Sequence, residues 1–156
     1  MRDLSAPAAG LGLVWRDDEI RACWPVMREL RPHLDESGFL ARVRRQQQQG
    51  YRLLCARDTG VRAGACIALA GFRCGENLAW GRFLYVDDLV TRADRRSEGW
   101  GRRLLGWLGA WAVERGCTAL HLDSGMQRVD AHRFYEREGL AGTGIHFARE
   151  LAAGAD

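Results

Sequence analysis

A single α/β domain is the fold class this sequence predicts, and three observations predict it. Apolar runs of strand character alternate with runs of helical spacing in the order β-α-α-β-β-β-α-β-α-β. A glycine-bearing loop joins an apolar run, residues 83–90, directly to an amphipathic run, residues 104–112. The 156 residues, 47% hydrophobic and 28% charged, suit one core of ordinary size. A loose tail is expected over residues 1–10 and a single domain over 11–150, with no linker and no internal repeat.

Residues 11–15 read as the first strand. Asp17 can then cap a helix whose apolar positions Ile20, Cys23, Trp24, Met27 and Leu30 keep helical spacing. Pro25 removes one hydrogen bond inside that helix and is expected to kink or divide it. Phe39, Leu40 and Val43 lead a second helix that runs into four glutamines and stops at Gly50. Residues 51–56 and 63–72 read as strands paired around the Asp58-Thr59-Gly60 turn, with Gly75-Glu76-Asn77 as the next connection. Residues 83–91 form a central strand, apolar on both faces except at Asp87 and Asp88. Leu104, Leu105, Leu108, Trp111 and Ala112 line one side of a third helix. A strand over 119–123, a helix over 129–138 and a last strand around 143–149 complete the order.

Composition excludes several classes. The five cysteines are odd in number and form no Cys-x-x-Cys pair, which argues for a reducing, cytoplasmic setting and against a disulfide framework or a zinc site. No histidine has a second at ligand spacing, so no metal is expected. No apolar run approaches the roughly 18 residues of a membrane span. The first ten residues lack the hydrophobic stretch of a signal peptide. A net charge of +3 is small for a nucleic-acid binder. Neither a membrane nor a nucleic-acid partner is expected. All 23 basic residues are arginine.

The most informative segment is Arg96-Ser97-Glu98-Gly99-Trp100-Gly101-Arg102. Its glycines let a ligand approach the backbone, and the first N–H groups of the following helix have no internal partner. With the helix dipole behind them, such a turn is an anion site. A Walker A loop needs Gly-Lys-Ser/Thr, and this chain has no lysine; a dinucleotide fingerprint needs a glycine where Leu104 stands. The pattern that fits is Arg-x-x-Gly-x-Gly, and it resembles the acetyl-coenzyme A pyrophosphate loop of the GNAT family of N-acetyltransferases. A second segment, Asp130-Ala131-His132-Arg133-Phe134-Tyr135-Glu136-Arg137-Glu138-Gly139-Leu140, is similar to that family's Ala-x-x-Phe-Tyr-x-x-x-Gly-Phe signature. Its wording resembles small bacterial members such as aminoalkylphosphonate N-acetyltransferases. The likeness covers residues 81–150.

The resemblance implies a mixed, mostly antiparallel, splayed sheet flanked by about four helices. It implies an enzyme that moves the acetyl group of acetyl-coenzyme A to a primary amine of a small molecule by direct attack. Backbone amides along Arg96, Ser97, Glu98, Gly99, Trp100, Gly101 and Arg102 would hold the pyrophosphate, and Leu89 and Val90 would pair with pantetheine. Tyr135 would protonate the departing thiolate. The amine must lose a proton, and a carboxylate in an apolar strand has its pKa raised by desolvation toward the range useful for a base. Asp88, directly before Leu89-Val90, is preferred; Asp87 and water remain open, because a bulge expected here removes strand parity as a guide.

Glu98 puts a negative charge where the family has a basic or small residue, Trp100 is larger than its usual aliphatic, and Arg128 replaces its usual asparagine. His132 reads as a helix-surface histidine bonded locally, and His146 as a polar-face residue of the last strand. The acceptor pocket would come from the first two helices and residues 75–81, where no motif names the amine. A homodimer is compatible with a domain of this type. The alternatives are an acyl-coenzyme A-binding regulatory module without turnover, or an enzyme acting on a protein, a peptide or aminoacyl-tRNA.

Overall fold

The computed structural model describes residues 10–60 and 62–152, so the expected tail lies outside the described residues apart from Gly10. In chain order the elements are β1 (Leu11–Leu13), α1 (Asp17–Leu30), α2 (Glu36–Gln47), β2 (Arg52–Arg57), β3 (Cys66–Asn77), β4 (Gly81–Thr91), a 3-10 turn (Ala93–Arg95), α3 (Trp100–Glu114), β5 (Ala119–Leu122) and α4 (Val129–Arg137). The chain divides into two compact units, one ending at Leu122 and the other beginning at Asp123.

The first unit is built on a five-stranded sheet of order β1-β2-β3-β4-β5. Three pairings are antiparallel, and β4 with β5 is parallel. On one face α1 and α2 bury Ile20, Cys23, Val26, Met27, Phe39 and Val43 against Leu53, Cys55, Leu69 and Val90. Each such side chain removed from water stabilises the fold by roughly 1.5–3 kcal/mol before conformational entropy is subtracted. Phe72 projects from β3 to the other face, where it meets Trp107 and Trp111 of α3 edge-on at 6.3 and 5.1 Å between ring centroids.

The cap of α1 falls one residue earlier than expected. Arg16 is the N-cap, Asp17 is already helical, and the Arg16 N–H donates to Glu19 Oε2 at 3.2 Å. Asp17, Asp18 and Glu19 then place three carboxylates on the positive end of the helix dipole. Pro25 lies within α1 and does not divide it. It and Arg21, whose carbonyl loses a partner, are both on the exposed side, where water can serve. Asp35 caps α2 by accepting from the Gly38 N–H at 2.6 Å.

The expected connection at residues 75–77 is instead the end of β3, and the chain turns at residues 78–80. Gly75 serves packing rather than a turn: a Cβ there would lie 2.7 Å from the Phe83 ring. The turn is held by Asn77 Oδ1, which accepts from the Trp80 N–H at 2.7 Å.

Two bulges interrupt the ladders. Ala56 pairs with Ala68 but Arg57 with Cys66, so Ile67 is an extra residue on β3. Gly71 pairs with Asp88 but Phe72 with Val86, so Asp87 is an extra residue on β4. Pairing with β5 stops at Val86–Leu122, whereas β4 runs on to Thr91. The edge of β4 facing away from β3 is therefore without a strand partner from residue 87 onward among the described residues.

In the second unit, α4 stops at Arg137, and Gly139 follows at φ +86°, the left-handed conformation common just past a helix. The strand expected around residues 143–149 is not formed. Ile145 and Phe147 keep their alternation but remain 67% and 88% exposed, with no ladder to bury them. Among the described residues no helix is long and apolar enough to cross a membrane.

Candidate functional site

The loop between β4 and α3 is shaped by backbone conformation. Ser97 has φ +64° and Gly99, the N-cap of α3, has φ +81°. Two left-handed residues thus stand within three positions just ahead of the first amides of α3. A serine in this region carries a Cβ penalty that glycine avoids, a mark of constraint rather than of an indifferent turn. No side chain caps α3 and no acidic residue occupies its first turn. The first bond closing the helix runs from Arg103 N–H to Gly99 O at 3.1 Å, so the amides of Trp100, Gly101 and Arg102 precede the intrahelical ladder.

Glu98 does not oppose this site as its charge alone would imply. Arg95 Nε donates to both of its carboxylate oxygens at 2.8 and 3.0 Å, and Trp100 Nε1 donates at 3.0 Å. Arg95 also donates to Asp58 Oδ2 at 3.0 Å. The Arg95 bond foremost, then the indole bond, holds the Glu98 carboxyl below its usual range. The large residue at position 100 has a structural use: its indole engages Glu98, and Arg103 stacks over its ring at 4.2 Å. Arg96 lies 3.7 Å from Glu29 of α1.

At the β4 bulge, the inserted residue puts Asp87 and Asp88 among side chains of the α1–α2 face. Asp88 Oδ1 accepts from Arg31 Nε at 3.0 Å, and Oδ2 accepts from the Tyr51 hydroxyl at 2.9 Å. Arg73 Nε donates to Asp87 Oδ2 at 2.8 Å, and Arg73 also donates to Gln46. Arg31 reaches the Asp87 carbonyl at 3.0 Å. The Asp88 side chain is 14% exposed and that of Asp87 26%. Burial pushes the Asp87 carboxyl upward, opposed in part by Arg73. Tyr51 is pushed well above the usual phenol range by burial first and by the neighbouring Asp88 charge second. Gly71 makes room for this pair: a Cβ there would overlap the Tyr51 hydroxyl and lie 2.6 Å from Asp88 Oδ2.

Leu89 and Val90 follow the bulge on the β4 segment that β5 no longer pairs. In the second unit, Tyr135 lies on α4 with its ring 5.3 Å from that of Phe134. Desolvation raises its pKa, with Arg128 opposing. His132 Nε2 is 2.9 Å from the Gly125 carbonyl, the local bond its sequence context predicts. His146 Nδ1 lies 3.3 Å from Asp123.

Arg31, Gln46, Tyr51, Arg73 and Gly71 were invisible to motif reasoning. They come from the end of α1, from α2, from the residue before β2 and from β3, and only folding brings them to the aspartates. The one local signal was Gly71, a glycine inside an apolar strand, which marks a close approach.

Residues 16–140 match the family model described as Acetyltransferase (GNAT) family. The chain is 38% identical over 120 residues to the Bacillus subtilis (strain 168) protein described as "Uncharacterized N-acetyltransferase YhdJ", covering 76% of this chain and 81% of that one. It is 33% identical over 66 residues to the aminoalkylphosphonate N-acetyltransferase of Salmonella typhimurium, covering 42% and 43%. A solved structure of AAC(6')-Iy with a bisubstrate analogue shares the fold, with a TM-score of 0.77 at 13% identity, over 91% of this chain and 97% of that one. The match spans the turn into α3, the bulged strand and the helix bearing Phe134-Tyr135, and with a relative this similar over three quarters of its length the chain belongs to the GNAT acetyltransferase family.

Proposed function

We propose that this protein transfers the acetyl group of acetyl-coenzyme A to a primary amine of a small molecule, by direct attack and without a covalent enzyme intermediate. The observation that carries this reading is the turn into α3: two left-handed residues, no side-chain cap and no acidic first-turn residue, beside a β4 edge that has no strand partner among the described residues. These features fit the donor. Amides of residues 97–102 would grip its pyrophosphate, and the backbone of Leu89 and Val90 would take its pantetheine arm as a strand takes a neighbour. One of those N–H groups would polarise the thioester carbonyl. Acetyl-coenzyme A supplies the activated acyl group and a thiolate leaving group; positioning and proton transfer fall to the protein.

Tyr135 is the proposed donor of the proton that the thiolate takes. A phenol is already protonated at neutral pH, and burial moves Tyr135 further in that direction. Tyr135→Phe is expected to lower kcat by about 10²–10⁴-fold with acetyl-coenzyme A affinity preserved, measured by thiol release and by calorimetry. An unchanged kcat would remove Tyr135 from the mechanism.

For the amine's proton, the aspartate pair is the proposed acceptor, directly or through water. Asp88 adjoins Leu89 but has both oxygens engaged; Asp87 has the upward-shifted carboxyl. A base must be ionised, so kcat/KM should rise with pH through the pKa of whichever residue serves. If Asp87 serves, that acidic limb lies above the usual carboxylate range, disappears in Asp87→Asn and persists in Asp88→Asn. The reverse pattern assigns Asp88, and a limb that survives both substitutions assigns neither. Stability provides a second reading. A folded pKa above the unfolded value means that Asp87 contributes most below the unfolded pKa, and that this is lost as pH rises through the folded one.

The small-molecule acceptor is supported by the names of relatives that act on aminoalkylphosphonates and aminoglycosides. We place the reaction in a bacterial cytoplasm. The deciding experiment follows acetyl-coenzyme A consumption across small amines, aminoalkylphosphonates and aminoglycosides included, alongside peptides with free N-termini. Turnover confined to peptides would replace the small-molecule acceptor with a protein one. Tight cofactor binding with no turnover on any amine would favour a regulatory acyl-coenzyme A-binding module.

A further inference from the structure

The sequence, with no Cys-x-x-Cys pair, gave no reason to expect a metal site, yet folding gathers three cysteines that are far apart in the chain. Cys23 comes from α1, Cys55 from β2 and Cys66 from β3, and their sulfurs all lie within 4.8 Å of one another. The β3 bulge creates this meeting. In an unbroken ladder, alternation would turn Ile67 and Leu69 to the α1 side and Cys66 away from it. The extra residue at Ile67 instead sets Cys66 opposite Arg57 and brings it to the face of Cys55. All three side chains are buried, at 1%, 1% and 6% exposure.

The cluster is nonetheless reachable. A cleft at the start of α1 is lined by all three cysteines together with Arg16, Glu19 and Arg57. Arg57 pairs with Glu19 at 3.5 Å. A purely apolar packing of three thiols requires neither an opening nor a guanidinium beside it.

We propose that Cys23, Cys55 and Cys66 form a three-thiolate site for zinc(II), with the fourth position open to water from the cleft. Tetrahedral zinc with Zn–S bonds of about 2.3 Å needs sulfurs about 3.8 Å apart, a contraction of about an ångström at most from the separations seen here. Binding converts three thiols and one divalent ion into a trithiolate complex of net charge −1 and three released protons. The site is independent of the acetyl-transfer reading, since none of its residues belongs to the α3 turn or the β4 bulge.

The test uses full-length, reduced, anaerobic protein with cadmium(II) as the spectroscopic probe and zinc(II) in competition with a chromophoric chelator. One equivalent of cadmium should produce a thiolate-to-metal charge-transfer band. Alkylation followed by mass spectrometry of the unaltered protein, with and without cadmium, should then show Cys23, Cys55 and Cys66 reacting more slowly with the metal than without it, while the rates at Cys74 and Cys117 do not change. Cys55→Ser should weaken zinc binding by about a hundred-fold or more, whereas Cys74→Ser/Cys117→Ser should leave it unchanged. The proposal is overturned by absence of the band, or by protection confined to Cys74 and Cys117, whose sulfurs lie 3.6 Å apart. A band undiminished in Cys55→Ser would overturn it equally. The protection map needs no variant, so a misfolded Cys55→Ser protein cannot decide the matter.

Discussion

Gly101→Glu is expected to abolish acetyl-coenzyme A binding while leaving the protein as stable as before, or more so. The two halves of that result come from the same geometry. Gly101 is the second residue of α3, inside a first turn that has neither a capping side chain nor an acidic residue. A glutamate there gains about 0.5–1 kcal/mol of helix propensity over glycine and adds a favourable interaction with the helix dipole. The same carboxylate competes for the turn's amides and repels a pyrophosphate. Loss of affinity by about a hundred-fold corresponds to about 2.8 kcal/mol, well within what a misplaced charge at an anion site removes. Calorimetric titration with acetyl-coenzyme A, paired with a melting curve, checks both halves. Undiminished binding would remove the loop from the cofactor site; a lowered melting temperature would show that binding failed through misfolding.

Gly71→Ala is the second substitution with a large expected effect, in the opposite category: it should damage the fold first. A methyl group there overlaps the Tyr51 hydroxyl and crowds Asp88 Oδ2. Overpacking of this kind costs about 1–3 kcal/mol, and the Tyr51–Asp88 hydrogen bond is lost with it. Tyr51→Phe alone should cost about 1–3 kcal/mol, because one Asp88 oxygen then lacks its donor. The two residues touch, so their effects should not add. Removing the hydroxyl relieves part of the overlap, and the double variant should be more stable than the sum of the singles implies. Urea denaturation of the three variants measures this. Strict additivity would mean that Gly71 and Tyr51 do not share the space assigned to them.

The order of elements was readable because strand and helix periodicities are local properties, and so was the glycine-bearing turn from β4 into α3, because glycine spacing marks where the backbone leaves ordinary conformations. Ser97 shows the boundary of that legibility: its left-handed φ of +64° has no signature in its side chain. The terminal strand failed for a related reason. Alternation at Ile145 and Phe147 states that a face could be buried, but pairing requires a neighbour, and sequence spacing does not say whether one is within reach. The surroundings of Asp87 and Asp88 were illegible because every partner arrives from elsewhere: Arg31 from the end of α1, Tyr51 before β2, Arg73 from β3. The cysteine cluster was hidden by a one-residue bulge, which reverses the side of a strand without altering its composition.

The ion pairs around the β4 bulge and the α3 turn are made by guanidinium groups: Arg31, Arg73 and Arg95. A guanidinium stays protonated across the working range and has no free electron pair to offer an acyl carbon. A lysine in the same places would lose its proton often enough to be a nucleophile, close to whatever thioester the site holds. Because the chain contains no lysine, it presents no side-chain amine anywhere to its own donor. Its charged scaffold is therefore immune to self-acylation, and amine-directed reagents would leave these ion pairs untouched.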